Sequence, residues 1–290
     1  MPPARLLALY LCWGASVPAM KVMVETLPPL AGAAAVFLAG GAIVGALAGG
    51  RRGAGGAELR HAALAGILLL GGQGMATVAL TELSASLTAI LAATNALWAA
   101  VFARVAGIPM GRATVARLVL GFAGIALVIL SAPDAAIGGS TPAVLAALGS
   151  SVLWGLGSVV AAHGGALPRD PLVTGAVQLL AGGTLLLALA AVAGQLAPGA
   201  WDDASARSLG AAVFLLAFDS LAGFLLYTSL LRDTPLGLVG TYAYVVPLIA
   251  VALGVLALGD HVTIGAALGG AVAMAAVTAQ LRAAAPTARP

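Results

Sequence analysis

Asp219 occupies a position that needs a chemical explanation, because it lies in the middle of the apolar run LLAFDSL, residues 215–221. A charged carboxylate at the centre of a membrane helix costs about 2.5–3.5 kcal/mol on insertion scales. The group must therefore face the protein interior, find a partner or hold a proton. Two functional readings follow: a proton acceptor in a coupled carrier, or a counter-ion for a substrate amine. The structural alternative is a protonated Asp219 that is hydrogen-bonded to Ser or Tyr on a neighbouring helix.

Six further polar or aromatic residues lie at a similar depth in other apolar runs. Gln73 stands in the glycine-rich stretch GGQG, residues 71–74, which permits close helix packing or a broken helix. Aromatic walls with a few polar groups are typical of small-molecule sites, although amides also tie helices together and aromatic rings also pack. The predicted site for substrate binding and coupling is Asp219, Trp13, Gln73, Asn95, Trp154, Tyr242 and Tyr244.

The elements that position these residues are long apolar helices. Of the 290 residues, 61% are hydrophobic and 8% are charged, whereas soluble domains carry about 25% charged residues. Lipid must therefore surround most of the chain. The runs are too long, and lack the alternation, for barrel strands. The sequence predicts an all-α membrane protein with ten transmembrane spans, numbered here 1 to 10: 4–25, 30–49, 62–82, 86–104, 113–131, 142–163, 171–193, 208–230, 236–258 and 262–282.

The basic residues predict the orientation of these spans. With the amino terminus in the cytoplasm, 11 of the 13 Lys and Arg residues fall in cytoplasmic segments, and only Lys21 and Arg207 fall outside. Such a bias is the positive-inside pattern of inner-membrane proteins. We therefore expect a multi-pass protein of the inner (plasma) membrane with both termini in the cytoplasm.

A weak internal repeat divides the chain into two halves of five spans. Trp13–Gly14 in span 1 recurs as Trp154–Gly155 in span 6, and Ser84 and Thr234 stand before spans 4 and 9 at matching places. An odd number of spans inverts the second half relative to the first, as in many secondary transporters with a site between their halves. The predicted domains are residues 1–137 and 138–290.

Several of these stretches resemble one known family. The segment WGASVPAMK (13–21) with ETLPP (25–29) resembles the opening of EamA-type carriers of the drug/metabolite transporter superfamily. Residues 79–86 resemble the family's junction between helices 3 and 4, and residues 234–247 with Leu258–Gly259–Asp260 resemble its helix 9. The resemblance covers nearly the whole chain. It implies a carrier, often an exporter, of amino acids, nucleosides, sugars or drugs.

The first half departs from the family pattern at its charged and proline positions. Val36 replaces the usual Arg of helix 2, Ala96 replaces the helix 4 proline that corresponds to Pro247, and Pro109 replaces a closing acidic residue. In the second half that acidic residue is Asp260, where Glu is usual. The substrates of better-known relatives are therefore not assigned to this chain.

Among an enzyme, a channel or scaffold and a transporter, the sequence favours a transporter. No Walker-type loop is present, so a proton or substrate gradient would supply the energy. An intramembrane enzyme is disfavoured, because it would need a Ser–His pair, paired Asp residues or a metal cluster inside the membrane. A channel or assembly scaffold stays open, although glycine-rich, proline-kinked helices suit a moving carrier better. We expect no enzymatic activity, cofactor or metal.

The expected partners are a small-molecule substrate, the lipid bilayer and protons. The scattered basic residues form no stripe or tail that would bind nucleic acid. The chain is expected to be a monomer or a homodimer. Lys21 and Glu25, four residues apart in span 1, form either a helical pair or an outer gate.

The orientation is testable with reporter fusions. A reporter that is active only in the cytoplasm should give a signal at Pro290, and one that is active only in the periplasm should give a signal within residues 194–207. These outcomes follow from the distribution of basic residues and the even number of spans. A periplasmic signal at Pro290 would contradict the predicted topology.

Overall fold

A computed structural model of the chain describes residues 2–49, 54–131, 140–249 and 263–284. This part of the chain is helical and contains no strand. The helices are α1 (Pro2–Gly14), α2 (Ser16–Met23), α3 (Pro29–Ala48), α4 (Gly56–Ala79), α5 (Ala85–Ala93), α6 (Asn95–Val105), α7 (Arg112–Leu130), α8 (Thr141–His163), α9 (Pro171–Val192), α10 (Ala206–Phe214), a π-helical segment (Leu215–Phe224), α11 (Leu225–Asp233), α12 (Leu236–Val239), α13 (242–249) and α14 (Ile264–Ala284).

Seven helical stretches within the described ranges are long and apolar enough to cross a membrane. They correspond to the predicted spans 1, 2, 3, 4, 6, 7 and 8: Pro3–Met23, Pro29–Ala48, Gly56–Ala79, Leu87–Val105, Thr141–His163, Pro171–Val192 and Ala206–Asp233. Helix α7 lies at the predicted span 5. Spans 9 and 10 are described only in part, so the count of ten stays a prediction. The boundary at 137/138 and Asp260 lie outside the described residues.

Three of the predicted spans are interrupted helices. Span 1 breaks at Ala15 because Pro18 lacks an N–H and its ring crowds the carbonyl of Gly14. Span 4 breaks at Thr94, whose hydroxyl donates to the Leu91 carbonyl at 2.6 Å and thereby competes with the helical ladder. Span 8 widens into the π segment, which carries Asp219. All three interruptions lie beside the cavity described below.

Helix packing relies on close backbone approach, since lipid tails are as apolar as the helices themselves. Helix α3 packs on α9, α4 packs on both α8 and α9, and α7 packs on α14. At Gly66 of α4, a Cβ atom would collide with the backbone of Gln178 in α9. Gly66 therefore sets the separation of these two helices.

This packing predicts contrasting effects of two glycine substitutions. Gly66→Ala should lower the free energy of unfolding by about 1–3 kcal/mol, because the methyl group meets backbone atoms that have no rotamer to change. Gly210→Ala on α10 is the matched control, since no atom lies within 4 Å of the added Cβ. It should be neutral or should stabilise by about 0.4–1 kcal/mol. Thermal or SDS unfolding of the purified variants measures both, and equal stabilities would contradict this account of the α4–α9 contact.

Candidate functional site

Four aromatic rings form a layer across the bundle, and Trp13 is at its centre. The Trp13 ring centroid lies 5.0 Å from that of Tyr242, 5.1 Å from that of Tyr227 and 5.6 Å from that of Trp154. The hydroxyls of Tyr227 and Ser158 are 2.5 Å apart, and the Asn95 amide donates to the Tyr242 hydroxyl at 2.9 Å. The layer therefore joins spans 1, 4, 6, 8 and 9 through ring packing and hydrogen bonds.

Glycine lets the helices approach at both tryptophans. Beside Trp154, a Cβ at Gly155 would lie 2.9 Å from the carbonyl oxygen of Asn95 and 2.8 Å from the backbone nitrogen of Ala99. Beside Trp13, a Cβ at Gly14 would meet the Ile249 side chain. Each Trp–Gly pair thus supplies one ring to the layer and one close approach to a helix of the opposite predicted half.

A cavity of about 100 Å³ lies on one side of this layer. Along spans 1, 4 and 9 its walls extend from the layer towards the end of the bundle that carries Lys21, hereafter the Lys21 end. The wall residues are Trp13, Ser16, Val17, Met20, Gln73, Ala76, Thr88, Ala89, Ala92, Ala93, Asn95, Ser150, Ser151, Trp154, Asp219, Tyr242, Ala243, Val246 and Pro247.

Asp219 supplies the only carboxyl group to the described walls, and no Lys, Arg or His side chain joins it there. The residue is 7% exposed, and Ser16 of α2 lies beside its side chain, with the Ser16 hydroxyl donating to the Cys12 carbonyl at 3.1 Å. The Trp13 indole N–H donates to the Asp219 backbone carbonyl at 3.4 Å. The indole fits there because Gly223 has no side chain, and a Cβ at Gly223 would collide with Nε1 of Trp13.

The structure brings six of the seven predicted site residues to the cavity: Asp219, Trp13, Gln73, Asn95, Trp154 and Tyr242. The Gln73 amide nitrogen makes one weak bond, to the sulfur of Met20 at 3.2 Å. The space beside Asp219 that Gly223 leaves is filled by Trp13.

Tyr244 is the exception and does not line the cavity. It lies against Gly121 of α7, where a Cβ would collide with its ring. Two residues along a helix turn a side chain by about 200°, so Tyr244 faces away from the side that Tyr242 presents. Its hydroxyl is buried without a hydrogen-bond partner among the described residues. Tyr244 therefore lies apart from the other six predicted site residues.

Sequence reasoning missed Tyr227 and Ser16. Ser16 follows Trp13 by one helical turn, so its place beside Trp13 was available from helical periodicity. Tyr227 lies eight residues beyond Asp219, and its position depends on the π segment between them. No pattern in the sequence identifies a π segment.

Lys21 and Glu25 do not bind each other. The Lys21 ammonium donates to the carbonyls of Leu80 and Leu83, at 2.6 and 3.1 Å, beyond the carboxyl end of α4. Glu25 lies 3.3 Å from Arg207 at the start of α10. The two charged groups thus connect span 1 to spans 3 and 8, and the helical pair is not formed.

A second, smaller void lies on the opposite side of the aromatic layer. It measures about 10 Å³ and shares Asn95 and Tyr242 with the main cavity. Its other walls lie towards the end that carries Arg5, hereafter the Arg5 end, and include Ser158, Tyr227, Leu236 and Gly240. The layer and the Asn95–Tyr242 hydrogen bond therefore separate the cavity from that end.

Comparison with known proteins identifies the family. A model described as the EamA-like transporter family matches the chain twice, at residues 5–130 and 141–281. The chain belongs to this family. The matches confirm the resemblance seen in the sequence, and the membrane-length apolar helices agree with membership of a membrane transporter family.

Relatives support the same assignment. The uncharacterized inner membrane transporter YedA of Escherichia coli K12 is 32% identical over 253 residues, which are 86% of this chain and 80% of YedA. YedA proteins of E. coli O6:H1 and O157:H7 match with the same figures. A crystal structure with 23% sequence identity covers 98% of this chain and 97% of its own, with a TM-score of 0.78. It shows the same fold.

The two tyrosines of α13 allow a matched test of the site's geometry. Tyr242→Phe removes the acceptor of the buried Asn95 amide and should destabilise the protein by about 1–3 kcal/mol. Tyr244→Phe removes a hydroxyl without a partner in the described part of the chain and should be neutral or stabilising. Thermal unfolding in detergent measures both. A Tyr244→Phe variant as unstable as Tyr242→Phe would contradict the contacts described here.

Proposed function

We propose that this protein is a secondary transporter of the inner membrane that exports a small polar or amphiphilic metabolite in exchange for protons, by alternating access. The observation that carries the proposal is the cavity with one buried carboxyl group and no counter-charge in its described walls. Export is proposed because the carriers that the sequence resembles are often exporters.

Proton exchange is supported by the isolation of Asp219 from fixed charges. The charged groups of the elements packed around the π segment lie at helix ends and have other partners. Arg5 pairs with Asp233 at 2.7 Å, Arg207 with Glu25, Lys21 with two carbonyls, and Arg232 with the carbonyls of Pro168 and Arg169. The Cys12 thiol lies near Asp219, and the titratable Tyr242 phenol shares the described cavity wall with it. Asp219 therefore needs a proton or a bound ligand to compensate its charge.

Alternating access is supported by the separation between the two voids. In this conformation the aromatic layer closes the cavity towards the Arg5 end. The same end is tied by the Arg5–Asp233 ion pair and by the Tyr10–Thr241 hydroxyl contact of 2.6 Å. A transport cycle would break the Asn95–Tyr242 hydrogen bond and join the cavity to the void beyond it.

The helix contacts support two inverted halves of five spans, with the boundary proposed at 137/138. Each span can be exchanged with the span five places later in the chain. Under this exchange, the contact between spans 2 and 7 is unchanged, and so is the contact between spans 5 and 10. The same exchange turns the contact between spans 3 and 6 into the observed contact between spans 8 and 1. It also turns the contact between spans 3 and 7 into the observed contact between spans 8 and 2. Inverted repeats with a site between them are a recurring transporter plan.

The proposed assembly is a monomer or a homodimer with both termini in the cytoplasm. The inner membrane is proposed from the positive-inside pattern and from the name of the E. coli relative.

Asp219→Asn tests proton exchange. The amide has nearly the same size and still hydrogen-bonds, so the fold should persist, but the side chain can no longer change charge. Efflux of metabolites from cells that lack related carriers, followed by mass spectrometry at external pH 6 and pH 8, should depend on pH for the wild type. The dependence should vanish in Asp219→Asn, while downhill exchange of the same metabolite survives.

Asp203→Asn is the control, because Asp203 is exposed in the loop before α10. It should behave as the wild type at both pH values. An Asp219→Asn variant with wild-type pH dependence would contradict proton exchange at this residue and leave Asp219 a structural role.

A further inference from the structure

The charge and shape of the cavity identify a class of substrate that the family does not specify. We infer that the cavity binds a small primary ammonium ion with an apolar body, held by the Asp219 carboxylate and the faces of the surrounding aromatic rings. This inference rests on the proposed function, because it names the ligand of the same cavity.

Electrostatics favours a cation over an anion or a neutral molecule. Asp219 is 93% buried and has no Lys, Arg or His among the described wall residues. An anion would face this carboxylate without any compensating charge, and a neutral ligand would leave it unpaired. An ammonium ion supplies the missing charge, so ligand binding and carboxylate ionisation become mutually favourable.

Lys21 does not reverse this argument. It is the basic residue closest in sequence to the cavity residue Met20, but it is not a wall residue. Its ammonium is held by the carbonyls of Leu80 and Leu83, where the carboxyl end of α4 carries partial negative charge. Its charge is therefore partly compensated away from the cavity.

The rest of the wall suits an ammonium head and an apolar body. Trp13, Trp154 and Tyr242 present aromatic rings, which attract cations through their quadrupoles. The Gln73 amide nitrogen binds only the Met20 sulfur within the described residues, so its oxygen is left to accept an ammonium N–H. Most other wall positions are Ala, Val or Met, which match hydrocarbon.

The volume limits the size of the ligand in this conformation. The cavity measures about 100 Å³, and an engineered apolar cavity of about 150 Å³ in another protein admits benzene. A ligand of at most about six non-hydrogen atoms, the number in benzene, is therefore the appropriate probe. Isopentylammonium is at this upper limit, and isopentanol is its uncharged counterpart of the same shape.

The test measures binding of isopentylammonium, isopentanol and isovalerate to the purified full-length protein at pH 8, where the alkylammonium keeps its charge. The chain has four tryptophans, and Trp98→Phe with Trp201→Phe leaves only Trp13 and Trp154, both in the cavity wall. The change in tryptophan emission then reports binding at the site. In this background, isopentylammonium should bind at least tenfold more tightly than isopentanol, and isovalerate more weakly still.

Two substitutions separate the charge from the shape of the site. Asp219→Asn should weaken isopentylammonium binding at least tenfold and leave isopentanol binding within twofold, which also shows that the cavity is still folded. Asp219→Glu restores the charge and should restore the preference for the cation. Equal binding of the ammonium and the alcohol by the wild type, or tight ammonium binding by Asp219→Asn, would overturn the inference.

Transport distinguishes this inference from the proposed function. Isopentylammonium that binds but is not exchanged across proteoliposomes would support the cation site and contradict the carrier. A pH-dependent efflux substrate that is neutral or anionic would support the carrier and contradict the cation site.

Discussion

The structure depends on placing one carboxyl group inside an apolar bundle without giving it a fixed counter-charge. Ser16 lies beside the Asp219 side chain, and the Trp13 indole donates to the Asp219 backbone carbonyl. Both contacts come from span 1, on either side of its break at Ala15. These neutral partners position the carboxyl without neutralising it. The charged side chains of the neighbouring helices are instead engaged at the helix ends, so the middle of the bundle is left responsive to whatever enters the cavity.

The aromatic layer solves a related packing problem. Helices that surround a cavity lose contacts with one another, and lipid provides no hydrophobic force to hold them together. Trp13 compensates by contacting three rings at once, while the adjacent Gly14 lets a distant helix approach. Trp154 contacts two rings of the layer, and Gly155 lets the helix of Asn95 approach. One dipeptide therefore supplies both a bulky wall for the cavity and a close contact behind it.

The sequence predicted the helical class and the family, and six of its seven candidate site residues line the cavity, because these follow from strong, local constraints. The insertion cost of Asp219 requires an interior position, and shared depth brings Trp13, Gln73, Asn95, Trp154 and Tyr242 towards the same region. Tyr244 lies outside the cavity because depth alone does not give the direction in which a helical side chain points. The partners of Lys21 and Glu25 were missed because both lie on other spans, and no local spacing encodes contacts between helices distant in sequence.

The π segment of span 8 has a mechanical consequence. A π-helix makes its hydrogen bonds from residue i to i+5 and so holds more residues in each turn than an α-helix. Conversion of Leu215–Phe224 to α geometry would lengthen the segment and change the angle between Asp219 and Tyr227 about the helix axis. The ion pairs Arg207–Glu25 and Arg5–Asp233 anchor span 8 near its two ends. Any such change of pitch would therefore turn the carboxyl about the helix axis and move the two ends of the span apart, so it would load both ion pairs.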